Sequence, residues 1–196
     1  MRKHQTFQTV VFRQLEKLKK KREPYIDNVT VLAEKIKGSL KSISSDLEQI
    51  GDFKEAEAVK SDLLSSVSEI EEMIYNFFEN IEGFRVLVND IEGLEMPPPP
   101  EILDSVLEGL NAEKEILEEL LTLTRDFSKA ANYFIQNSKS SENPKDALDI
   151  KKEKLNDVIE CFSNFQTQVS KTTQELNRLV KSLSKKQKIS KAFDKL

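Results

Sequence analysis

The chain has 196 residues, a formal net charge of −4, 33% charged side chains and no tryptophan. Its one cysteine, Cys161, excludes an intramolecular disulfide and suits a reducing compartment. Its one histidine, His4, removes Ser-His-Asp and Cys-His catalysis, and with them the Glu-x-x-His pairs of a bundle-core di-metal site.

Residues 5–50 carry apolar side chains in alternating steps of three and four: Val11, Leu15, Leu18, Tyr25, Val29, Leu32, Ile36, Leu40, Ile43, Leu47 and Ile50, with Arg22 as the polar interruption. That spacing predicts a helix with a coiled-coil-type seam, kinked at Pro24 because the phase carries across it. Gly51-Asp52 predicts a tight turn, with Gly51 at the helix C′ position and Asp52 and Glu55 as a capping-box-like start. A second helix follows over 53–92, its seam made by Phe53, Ala56, Leu63, Val67, Ile70, Ile74, Phe77, Ile81, Phe84, Val88 and Ile91, with Lys60 at one seam position. Tyr75, Phe78 and Leu87 widen its apolar face, which calls for at least three helices meeting there.

Pro97 to Pro100 are four consecutive prolines. Proline has no backbone donor and disfavours helix in the residue before it, so residues 93–101 read as an extended connector. The flanking Glu95 and Glu101 give it no basic residue to orient it as a ligand for a proline-binding domain, which favours a stiff spacer. A third helix is expected from about 102 to 137, seamed by Leu103, Val106, Leu110, Leu117, Leu120, Phe127, Ala131 and Phe134, with Glu113 and Thr124 as polar interruptions. After a polar loop at Ser138 to Pro144, a fourth helix is expected over 146–190. Its seam is Leu148, Leu155, Val158, Phe162, Phe165, Val169, Thr172, Leu176, Leu179 and Leu183, with a frayed basic end at about 186–196.

Charge is blocked along the chain. Residues 1–23 hold eight basic and two acidic groups, a net of +6, and residues 178–196 hold seven and one, again +6. Residues 69–119 hold two basic and fifteen acidic groups, a net of −13. An up-down-up-down order brings both basic ends beside the acidic block around the prolines.

The candidate binding residues are the lysine-rich clusters Lys17, Lys19, Lys20, Lys21, Arg22, Lys185, Lys186 and Lys188, suited to an acidic partner or anionic lipid. No aromatic side chains are interleaved with them, which disfavours nucleic acid. Phe77, Phe78 and Phe84 form a candidate docking patch, although a helical core accounts for such residues as well. Carboxylate pairs such as Glu71-Glu72 read as solvated helix faces, the five glycines form no phosphate-binding loop, and no catalytic residue, metal site or cofactor is expected.

The expected fold is all-α: one elongated domain over 1–196, an antiparallel bundle of four long heptad-patterned helices. Nowhere do about 18 uncharged apolar residues run together, so no bilayer-crossing segment is expected, and the first residues show no signal-peptide core. The expected function is a non-enzymatic scaffold or adaptor that holds protein partners, a second copy included, through helix–helix contacts in the cytoplasm. The polar seam positions Arg22, Lys60, Glu113 and Thr124 would specify register. The alternative is a crescent-type dimer that uses the terminal lysines at a membrane surface; no small-molecule substrate is expected.

Overall fold

The computed structural model describes residues 9–22, 53–94, 97–137 and 144–193, together with Glu34, Gly38, Ser42 and Ser45; side chains at 53–56, 59, 134–135, 137, 144–152 and 187–193 fall outside that description. The described residues form helices and contain no strand. We label the helices α1 (residues 9–22), α2 (Phe53–Glu92), α3 (Pro100–Asn137) and α4 (Pro144–Phe193). Glu34, Gly38, Ser42 and Ser45 are also helical and exposed. The expected kink at Pro24, the turn at Gly51-Asp52 and all of the loop expected at Ser138 to Pro144 except Pro144, which is helical, lie outside the described residues.

Each helix boundary follows from local chemistry. The end of α2 is held by the Gly93 amide donating to the Asn89 carbonyl at 3.4 Å and the Leu94 amide to that of Ile91 at 3.2 Å. The prolines break the pattern as expected, but α3 begins at Pro100, inside the expected connector and two residues before the expected start at about 102. The first helical position needs no amide donor, so proline is tolerated there, and the Pro99 carbonyl accepts from the Ile102 amide at 3.0 Å. Glu101 in the first turn favours the helix dipole. Pro144 opens α4 in the same way, and α4 runs on to Phe193, past the expected fraying point. Lysine, glutamine and alanine sustain a helix by propensity after its apolar seam has thinned.

Burial follows the three-and-four spacing. On α3 the buried positions are Leu103, Val106, Leu110, Glu113, Leu117, Leu120, Thr124, Phe127 and Ala131. On α4 they are Leu155, Val158, Cys161, Phe162, Phe165, Val169, Thr172, Leu176, Leu179 and Leu183. The α2 seam is buried from Leu63 to Ile91, and a further row of Ser66, Met73, Asn80 and Leu87, each seven residues apart, is buried beside it. The α2 face therefore widens on the side of Met73, not on that of Tyr75, which is 52% exposed.

The chain divides into two compact units. Unit 1 is Met1–Asp27, Phe77–Lys114 and Gln166–Leu196. It gathers both basic segments and much of the acidic block. Its core is Val11 and Leu15 from α1, Phe77, Ile81, Phe84, Leu87, Val88 and Ile91 from α2, Leu103, Val106 and Leu110 from α3, and Val169, Leu176, Leu179 and Leu183 from α4. Each such side chain contributes roughly 1.5–3 kcal/mol by leaving water. Here α3 and α4 run antiparallel: the Pro97 carbonyl accepts from Lys186 Nζ, while twelve residues on the Gly109 carbonyl accepts from Gln168 Nε2 at 3.4 Å. The two helices approach closely at Gly109, where a Cβ would lie 2.8 Å from Thr172 Oγ1.

Unit 2 is Asn28–Asn76 and Glu115–Phe165. Leu63, Val67, Ile70, Met73 and Ile74 pack there with Leu117, Leu120, Phe127 and Ala131 and with Leu155, Val158, Phe162 and Phe165. On its surface, Arg125 Nε donates to Glu71 Oε1 at 2.8 Å and Arg125 Nη2 to the Tyr75 hydroxyl at 3.3 Å, tying α3 to α2. This contact accounts for Tyr75 standing at the surface.

The close approach at Gly109 yields a test. Gly109→Ala should lower stability by about 1–2 kcal/mol, because the overpacking cost exceeds the helix-propensity gain of roughly 1 kcal/mol. Urea denaturation measures it, and the loss caused by Gly109→Ala should largely disappear when both chains compared also carry Thr172→Ala.

Candidate functional site

Four buried polar side chains meet inside unit 1, one from each helix: Arg22 of α1, Asn80 of α2, Glu113 of α3 and Thr172 of α4. Each stands where the spacing of its helix puts an inward-facing side chain. Arg22 is seven residues after Leu15, Asn80 seven after Met73, Glu113 three after Leu110 and Thr172 three after Val169. Helical periodicity alone therefore aims them at a common centre.

Arg22 is 1% exposed and Glu113 is 0% exposed. Arg22 Nη2 donates to Glu113 Oε1, and Nη1 donates to Asn80 Oδ1 at 3.4 Å. The guanidinium carbon also lies 5.9 Å from the centre of the Phe84 ring, within cation–π range. The Thr172 hydroxyl donates to the Gln168 carbonyl at 3.1 Å and stands near the Glu113 carboxylate. Burial pushes the Glu113 carboxyl above its usual range, and this outweighs the opposing pull of the Arg22 guanidinium and of the hydrogen bonds from Thr172 and Arg22. Among the described residues, Arg22 Nε and Glu113 Oε2 have no hydrogen-bond partner.

The layer is therefore poor as a source of stability. Desolvating two charges costs several kcal/mol per ion, and each unpaired buried polar atom costs about 1–3 kcal/mol more. Its chemical capability is selection. A helix that slides by one turn, or one with an apolar residue at position 22, leaves Glu113 buried without a cation.

The candidate binding residues fall into different environments. Lys17, Lys20, Lys21 and Lys185 are exposed, and Lys19 is half-buried. Lys186 is half-buried and donates to the Pro97 carbonyl. The side chain of Lys188 lies outside the described residues. Arg22 does not belong to the basic surface cluster: it sits at a seam position and is held in the core by Glu113. Phe77 and Phe84 are each 0% exposed, so they are core and not a docking patch; their seam spacing turns them inward, and Phe78, one residue off the seam, is half-buried. Lys60 is 33% exposed beside Glu57 and takes no part in a buried layer. Thr124 is buried in unit 2, its hydroxyl without a hydrogen-bond partner among the described residues.

Asn80 occupies the additional row and not the seam, and Met73 and Leu87 at seven-residue spacing are the sequence signal for it. Cys161 is buried, its thiol faces the Ile116 carbonyl at 3.6 Å, and burial followed by the nearby Glu119 charge pushes its pKa up to about 12. Such a thiol is protonated at neutral pH and is a poor nucleophile. Among the described residues, no group of three or more His, Cys, Asp or Glu side chains is placed to hold a metal ion, and no helix is long and apolar enough to cross a membrane.

A double-mutant cycle tests the layer. Arg22→Met or Glu113→Leu alone should cost about 3–5 kcal/mol, because each leaves a buried charge behind. The double variant should return to within about 1 kcal/mol of the parent, or exceed it, in urea denaturation. Compared with family models, with curated proteins and with solved structures, the chain matches none of them.

Proposed function

We propose that the chain is a non-catalytic interaction scaffold that engages partner proteins through helix–helix contact in the cytoplasm. The observation that carries this reading is the Arg22–Asn80–Glu113–Thr172 layer. A layer that lowers stability but fixes which helix faces may associate, and in what register, suits a molecule whose task is selective helix pairing. Surface positions such as Leu64, at 45% exposed, and Tyr133, at 71% exposed, offer apolar contact points away from the core. The partners are accordingly helical proteins, with no substrate or cofactor involved.

The test is retention of a stoichiometric partner on the immobilised full chain. One partner should bind the parent and be lost from a surface variant (Leu64→Glu or Tyr133→Glu) whose circular dichroism is unchanged. If no partner is retained, or if retention is indifferent to every surface variant, the reading fails.

A second reading is favoured by one specific arrangement: exposed Lys17, Lys20 and Lys21 of α1 share unit 1 with exposed Lys185 of α4. These lysines could engage anionic lipid, with each residue near the surface contributing about 1 kcal/mol. Sedimentation with phosphatidylserine vesicles separates the readings. Salt-sensitive binding that is lost on reversing Lys17, Lys20 and Lys21 supports the membrane reading, and absence of binding at low salt rejects it.

A further inference from the structure

A groove of about 480 Å³ lies between α1 and α2 within unit 1. Its α1 wall presents Lys17 and Lys21, one turn apart, on either side of Leu18. Its α2 wall presents Glu82, Val86 and Asp90 at four-residue steps, a row about 12 Å long at 1.5 Å per residue. Val86 is 62% exposed, more than any other large aliphatic side chain among the described residues. Gly83 lies one turn before it, and Leu18 of α1 packs over it: a Cβ there would lie 3.3 Å from the Leu18 side chain.

The two walls carry opposite charge yet do not use it on each other. Glu82 lies near Arg85 at 3.8 Å and Lys114 at 4.0 Å, and among the described residues no ion pair crosses the groove from Lys17 or Lys21. A surface with a basic row beside an acidic row is complementary to itself under a two-fold rotation. The rotation lays the basic α1 wall of one copy on the acidic α2 wall of the other, and the reverse contact forms at the same time. It also carries the protruding Val86 of each copy toward the α1 wall of the partner copy, where Leu18 lies between Lys17 and Lys21. An anionic membrane would be repelled by Glu82 and Asp90, and a helix of single charge sign would satisfy only one wall.

We infer that this α1–α2 face is a homodimer interface, with Lys17 and Lys21 of each copy pairing with Glu82 and Asp90 of the other around a Val86 contact. The inference rests on the scaffold reading and deepens it by naming a second copy of the chain as one partner. The interface places charged residues around a small apolar centre, so its affinity depends on ionic strength.

Sedimentation equilibrium of the full chain over micromolar to submillimolar concentrations tests this. The parent should show a reversible monomer–dimer equilibrium that weakens by about tenfold in high salt. Lys17→Glu/Lys21→Glu and Glu82→Lys/Asp90→Lys should each be monomeric, since like charges then face each other on both sides of the axis. Mixing those two variants should restore a dimer containing one copy of each. Val86→Glu should weaken dimerisation by about 30-fold or more with unchanged helicity, and it serves as the test should either charge-reversed variant fail to fold. A parent chain that is monomeric throughout, or a dimer indifferent to Val86→Glu and to charge reversal, overturns the interface. A monomeric parent would leave the scaffold reading standing if a different partner is still retained on the immobilised chain, so the two can fail separately.

Discussion

Unit 1 is organised around one buried ion pair. Arg22 and Glu113 are both shut away from water, and neither can be accommodated there without the other. Their distance in sequence is 91 residues, so the contact constrains the chain far more than any local turn does. Asn80 takes a second guanidinium nitrogen, Thr172 stands against the carboxylate, and Phe84 offers its ring face to the cation. One inward position on each of four helices is thereby assigned. The apolar rows above and below it would tolerate other pairings, because leucine and valine seams resemble one another from turn to turn. The polar layer supplies the discrimination that those rows lack.

Much of the architecture could be read from spacing. The α3 seam from Leu103 to Ala131 is buried at every position that the three-and-four pattern marks, including Glu113 and Thr124, where residue type argues against burial. Periodicity prevails because a helix cannot turn one residue outward without turning its neighbours. The same rule makes Phe77 and Phe84 core. What spacing could not deliver was partnership. Arg22 looks like the end of a lysine cluster in the sequence, and only the folded chain reveals that its seam position outweighs its neighbours. Asn80 and the Gly109–Thr172 approach depend on how two helices face each other, which a pattern on one helix does not encode. The limits of α4 were also hidden, since Lys, Gln and Ala continue a helix without an apolar stripe to mark it.

The charge blocks acquire meaning from the same arrangement. Unit 1 gathers the basic ends and much of the acidic middle of the chain, so long-range attraction favours its assembly while individual surface pairs contribute little. Arg22 turns one of those basic groups inward and converts a weak, screened attraction into a selective one. Lys17 and Lys21 remain outside, facing Glu82 and Asp90 across the α1–α2 groove, where they are available to another surface. Selection inside and complementarity outside are the two features on which the proposed pairing of helices rests.

The account turns on Arg22 being enclosed, and hydrogen exchange of arginine side-chain protons followed by nitrogen NMR reports this directly. The Arg22 guanidinium should exchange far more slowly than that of Arg178, which is 68% exposed beside Glu175, and replacing Glu113 with leucine should abolish the difference. Arg22 protons that exchange as fast as those of Arg178 in the parent chain would contradict the buried layer and the selective role built on it.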